Sequence, residues 1–202
     1  MTSSTPNVAA SERAALLDLF DALGPDAPTL CEGWTTHDLA AHLVARERRP
    51  QAVLGLVVPP LHGLTESAER RMREQPYGVL VHQLRSGPPP WSPGGLLRGP
   101  LAGLTDVHEY YVHHEDVRRL ADPAPRAADP DLDAALWSRV RLMGLALTRR
   151  ARVGISVRTP DGRSARVRRA DDDVVLVGTP AELFLWLNGR RSVAQVEVQG
   201  TP

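Results

Sequence analysis

The sequence predicts a mainly α protein with a small α+β unit at its C-terminal end, and three observations carry that prediction. Apolar residues recur at three- and four-residue intervals through roughly the first 150 residues, the period of an amphipathic helix. From Val153 onward the pattern alternates instead, as half-buried strands do. The 18 prolines and 16 glycines cluster between these stretches, where they act as linkers. At about 150 residues per domain, 202 residues fit one main domain and an appendage. The change of period places the boundary near Arg149 to Gly154, between residues 1–150 and 151–202.

Each element has its own signals. A first helix begins after Asn7, carries Ala14, Leu16, Leu17, Phe20 and Leu23 as a stripe, and stops at Gly24-Pro25. Thr35 followed three residues later by Asp38 is a capping pattern for a second helix, which holds Leu39, Ala40, His42, Leu43 and Val44 and ends before Pro50. Leu64 to Gln75 and Val79 to Arg85 read as one broken or two short helices divided by Pro76. Ser86 to Pro100, with Pro88-Pro89-Pro90 and Gly94-Gly95, is a long loop containing Trp91. Leu101 to Leu120 and Leu132 to Arg149 are long helices joined by a linker from Pro123 to Pro130. Strands follow around Ile155 to Val157, Ala165 to Val167 and Val174 to Val177, the first two joined by a turn at Asp161-Gly162. Thr179-Pro180 opens a short helix to Leu187, and Val193 to Val198 offers a last strand.

Composition excludes several function classes. All 24 basic residues are arginine, and 24 acids bring the formal net charge to +0. A dedicated binder of nucleic acid or anionic membrane needs an excess of positive charge, so neither partner is expected. One cysteine, Cys31, cannot make an intrachain disulfide, a Cys-based zinc finger or an iron–sulfur cluster. Residues Met1 to Pro6 show no basic region leading into an apolar one, and the longest apolar run, Ala52 to Leu61, falls short of the ~20 residues of a membrane span. A soluble, cytoplasmic protein is expected.

Three of the seven histidines lie between Asp106 and Asp116. On a helix Glu109 and His113 are one turn apart, roughly 40° around the axis and about 6 Å apart at Cβ. Val112, Val117 and Leu120 fall near that direction, whereas His114, about 140° from Glu109, points elsewhere with Glu115 and Arg118. A carboxylate and an imidazole on an apolar helix face are costly to bury without a partner. A divalent metal, zinc above all, supplies one. A surface Glu–His pair or a hydrogen-bonded core histidine fits the same spacing, and a metal needs a further ligand. His42 is the best choice, on a capped helix of small and apolar residues; His37, His62 and His82 lack such surroundings. Asp38, one turn before His42, and Asp116, on the His113 face, are positioned to orient the two imidazoles. Arg118 and Arg119 can hold an anionic substrate or pair with Glu115 or Asp122, and Cys31 reads as a packing residue.

The block Cys31-Glu32-Gly33-Trp34-Thr35-Thr36-His37-Asp38-Leu39-Ala40-Ala41-His42-Leu43, with Glu109-Tyr110-Tyr111-Val112-His113-His114-Glu115-Asp116 later, resembles the actinobacterial mycothiol-dependent maleylpyruvate isomerase-like proteins of the DinB-like superfamily. The resemblance implies a DinB-like four-helix bundle followed by a small C-terminal domain. It also implies a divalent metal, usually zinc, on one histidine of the second helix and a Glu-x-x-x-His pair of a later one. Position by position these are His42, Glu109 and His113, the set the spacing also reaches. An arginine-only basic complement fits a high-GC actinobacterial coding sequence.

Three protein ligands leave a coordination position open, the arrangement of a catalytic zinc. Such a zinc favours a bound thiolate as it favours hydroxide over water. With no suitable protein cysteine, the thiol is expected to be a low-molecular-weight cosubstrate, which the resemblance identifies as mycothiol. The second substrate is then a small electrophile. Two classes fit: a metal- and thiol-dependent transferase or isomerase, and a metal-binding protein without turnover, such as a sensor or ligand carrier. No residue is assigned a catalytic role beyond metal binding.

Overall fold

A computed structural model of the chain describes residues 8–48, 62–92, 102–170 and 173–200. The helices among them are α1 (Val8–Leu23), α2 (Thr36–Arg48), α3 (His62–Arg73), α4 (Tyr77–Ser86), α5 (Ala102–Ala121), α6 (Pro130–Leu147) and α7 (Pro180–Leu187). The strands are β1 (Gly154–Arg158), β2 (Ser164–Arg168), β3 (Asp173–Val177) and β4 (Glu197–Gln199). None of these helices is long and apolar enough to cross a membrane. The run from Ala52 to Leu61, the loop beyond Ser92 and the side chain of His62 lie outside the described residues.

The chain divides into two compact units between Ala121 and Asp122. The change of period near residue 150 therefore marks the start of the strands and not the division of the chain. Helix α6, assigned to the bundle on periodicity, packs on α7 and β2. Its apolar stripe announces that it must be covered and is silent about which element covers it.

The mainly α bundle comes first. Leu16, Leu17 and Phe20 of α1, Leu39 to Ala45 of α2, Ala68 and Met72 of α3, Leu80, Val81 and Leu84 of α4, and Tyr110 and Val117 of α5 bury one another in a single core. The start of α2 is tied as its residues require. Asp38 Oδ2 accepts from the Thr35 backbone N–H at 2.9 Å and from the Thr35 hydroxyl at 3.0 Å. The loop before α2 turns back at Gly33, whose φ of +75° suits glycine, so that Trp34 N–H reaches Cys31 O at 2.9 Å. Leu30 N–H then reaches Asp116 O of α5, also at 2.9 Å, and this pins the loop beside the middle of that helix.

In the C-terminal unit the strand order is β2-β1-β3-β4, with β1 parallel to β3 and the outer pairs antiparallel. Thr179 caps α7 and Pro180 occupies its first turn, as the sequence indicates. Asp129 caps α6 through Asp131 N–H and Leu132 N–H, so that helix starts two residues before the predicted Leu132. The last strand is shorter than expected, because Val193 N–H and Ala194 N–H both turn back onto Arg190 O. Gly144 of α6 lies against β2: a Cβ there would stand 2.5 Å from Val167 Cγ1. Trp137 of α6 carries the Arg163 guanidinium 5.4 Å above its ring.

Candidate metal centre

His42 on α2 and Glu109 and His113 on α5 come together on the inner side of the bundle. Glu109 Oε2 lies 3.8 Å from His42 Nε2 and 3.7 Å from His113 Nε2. The two imidazole rings stand edge to face with centroids 5.3 Å apart. One donor atom from each of the three residues falls within 4.8 Å of the others, so they can share an ion.

The other nitrogen of each ring is already engaged. His113 Nδ1–H donates to Asp116 Oδ2 at 2.9 Å, one turn along the same helix. His42 Nδ1–H donates to Glu69 Oε1 on α3 at 2.8 Å. A carboxylate only accepts, so both Nδ1 atoms carry a proton and both Nε2 atoms are aimed at the shared space, where a neutral ring offers its lone pair. Arg46, one turn beyond His42 on α2, holds Glu109 Oε1 at 2.9 Å and leaves Oε2 to face the histidines.

Asp116 stands where its spacing predicts. Asp38 does not orient His42: it is consumed by the helix cap and by Arg73 Nε at 3.1 Å. Glu69 takes that role, and sequence reasoning missed it, because nothing local ties residue 69 to residue 42. Cys31 is also misread as a packing residue. Its thiol lies 3.3 Å from Asp116 Oδ2, where Cys31, His113 and Asp116 make a second cluster of metal-ligating type sharing His113. Trp34 packs its ring 5.2 Å from that of His42, with Arg73 5.3 Å over its other side.

The remaining predicted residues go elsewhere. His114 faces away from Glu109 and reaches Glu12 Oε2 of α1 at 2.9 Å. Glu115, fully buried, accepts from Arg118 at 2.9 Å and Arg119 at 2.5 Å, so both arginines serve an ion-pair network. Leu120 is not covered as its helical direction suggested; it is 48% exposed. His37 Nε2 meets Gln75 O at 3.0 Å, His82 is exposed, and Trp91 stands 67% in solvent.

The electrostatics of the site favour charged carboxylates beside a charged imidazole. Burial disfavours the Glu109 anion, but the neighbouring His113 and His42 and the charge of Arg46 outweigh it, holding the carboxyl well below its usual range. Burial likewise disfavours a charged His113, yet Asp116, Cys31 and Glu109 together hold its imidazole well above its ordinary 6.5. The Glu69 carboxyl sits below its usual range, because its bond to His42 and the charges of His42, Arg73 and Arg46 overcome the cost of burial.

No protein-family model and no curated protein sequence matches the chain. Among solved structures, a mycothiol-dependent maleylpyruvate isomerase superposes with a TM-score of 0.64 at 15% identity, covering 96% of this chain and 92% of that one. A histidine-to-alanine mutant of a mycothiol-dependent maleylpyruvate isomerase gives 0.63 at 14% identity, over 96% and 93%. At such identity the likeness concerns architecture. The chain therefore has the fold of a mycothiol-dependent maleylpyruvate isomerase: mainly α, a helical bundle with a small C-terminal α+β unit.

Proposed function

We propose that the protein is a divalent-metal enzyme, zinc-dependent, that joins a low-molecular-weight thiol to a small electrophile or isomerises that electrophile through the thiol. The thiol of this reading is mycothiol and the compartment is the cytoplasm. His42, Glu109 and His113 hold the metal.

The observation that carries the reading is the pair of imidazoles with Nδ1 occupied by carboxylates and Nε2 aimed at one oxygen of Glu109. Two neutral imidazoles and a carboxylate suit zinc. Donor atoms around a tetrahedral zinc lie about 3.3 Å apart, so separations of 3.7 and 3.8 Å need only a small contraction. When bound, the metal supplies Lewis acidity at an open position, which favours a thiolate near neutral pH. The chain's own residues orient and shield. Asp116 and Glu69 fix the tautomers, Arg46 holds Glu109 to a single free oxygen, and Trp34 closes one side of His42. Likeness of fold to mycothiol-dependent enzymes supports the choice of thiol.

The test is metal analysis on protein purified without chelator, followed by a panel of electrophiles with and without mycothiol. One metal per chain and thiol-dependent turnover support the reading. Metal without turnover at saturating thiol leaves a binding protein of the sensor or carrier kind, and absence of metal sinks both.

A further inference from the structure

The two histidines are held in different ways, and the geometry points to Glu69 as the positioning residue that makes His42 a metal ligand. The proposal rests on the reading of His42, Glu109 and His113 as the metal set.

Asp116 orients His113 from three residues along the same helix, so that bond exists whenever α5 is helical. His42 has no such neighbour, since Asp38, one turn before it, is spent on the cap of α2 and on Arg73. The proton on His42 Nδ1 is placed instead by Glu69, 27 residues away on α3. Glu69 is itself held: its second oxygen lies 3.8 Å from Arg73, whose Nε reaches Asp38 and whose guanidinium covers Trp34. Trp34 in turn packs on the His42 ring. His42, Glu69, Arg73 and Trp34 thus close a ring of four side chains, with Asp38 bracing Arg73 from outside it, and Glu69 is the member that selects the His42 tautomer.

In a neutral imidazole either nitrogen can carry the proton, and the Nε2–H form cannot bind metal through Nε2. An Nδ1–H···carboxylate bond removes the ambiguity and raises the basicity of the ligating nitrogen, and loss of such a partner typically costs about 10- to 100-fold in metal affinity. Glu69→Ala is expected to cost that much. Glu69→Gln, which keeps an accepting oxygen of the same reach without the charge, is expected to fall between.

The experiment has two arms. In metal-free protein labelled with nitrogen-15 at histidine, the ring shifts of His42 report its tautomer: Nδ1–H in the parent chain and in Glu69→Gln, mixed or Nε2–H in Glu69→Ala. In the second arm, zinc affinity is measured by competition with a chromogenic chelator. His37→Ala, which cuts the link from α2 to Gln75 without touching His42, is the docking control and should stay within about twofold. An unchanged tautomer in Glu69→Ala, or equal affinity losses in Glu69→Ala and His37→Ala, overturns the assignment. Where Glu69→Ala does not fold, Glu69→Gln decides: full parent affinity overturns the proposal and a partial loss with the tautomer kept supports it. If the parent chain binds no zinc, the metal reading fails on its own, and the tautomer arm still decides what Glu69 does.

Discussion

Two faces of α5 carry adjacent histidines with the same burial and opposite uses. His113 and His114 are 8% and 6% exposed, and each has a carboxylate oxygen 2.9 Å from Nδ1. Around His113, a second imidazole and the Glu109 carboxylate converge on Nε2. Around His114, the partner is Glu12 of α1, and the next residue, Glu115, anchors Arg118 and Arg119. Burial beside a carboxylate is therefore no mark of a metal site. What sets His113 apart is the convergence of donor atoms from α2 and α5, on which the proposed metal set rests. Among the described residues His114 belongs to neither cluster of metal-ligating side chains.

The comparison breaks first on metal content. His113→Ala should lower zinc affinity roughly 1,000-fold or more, since even an outer partner is worth 10- to 100-fold. His114→Ala should keep full stoichiometry by metal analysis. The reverse result would put the site on the wrong face of α5.

Stability should divide the opposite way. His114→Ala leaves the Glu12 carboxylate buried without its imidazole, which costs about 3 kcal/mol. Denaturant unfolding of the metal-free protein measures it, and a loss below 1 kcal/mol would mean that water repairs the gap.

A pH titration sharpens the same contrast. The metal-free His113 imidazole is held above 6.5, so its ion pairs stabilise the fold fully below that pH and are lost as pH rises through the raised value. Zinc needs the neutral ring and competes with that proton. Its affinity should therefore fall about tenfold per pH unit below the raised value and level off above it. Asp116→Asn weakens the hydrogen bond that does most to raise the group, so the bend in the curve should move to lower pH. A curve that keeps its bend would remove Asp116 from the account.

The smallest effect lies within the Glu115 network. Arg118 is partly exposed, so Arg118→Ala should cost about 1 kcal/mol or less, whereas Arg119→Ala, at a 1% exposed side chain, should cost about 3 kcal/mol. Equal costs would show that burial does not separate the two pairs.

What was legible in the sequence follows from how local each arrangement is. Glu109, His113 and Asp116 share one helix, and helical geometry alone places them on one face. The Thr35–Asp38 cap was legible for the same reason, and that cap is why Asp38 is unavailable to His42. Glu69 was not legible, because its role depends on how α3 docks on α2, a tertiary matter that no spacing encodes. Cys31 was misjudged likewise: the turn at Gly33 and the bond from Leu30 to Asp116 carry it to α5 from 85 residues away. For α6 the stripe was read correctly and its partner was not, since an apolar face looks the same whether a helix or a sheet covers it.

The approach of α6 to β2 at Gly144 bears on how this fold can vary. With 2.5 Å between a notional Cβ and Val167 Cγ1, helix and strand are in contact with no room for a methyl group. Position 144 and position 167 must then vary together. In a library randomised at both and sorted for folded protein, side chains at 144 should survive only beside glycine at 167, because the Val167 Cβ itself would stand 2.6 Å from an added one, while glycine at 144 should admit valine and residues near its size. The spacing between helix and sheet would be written in that pair, as a joint constraint that neither position shows when substituted alone.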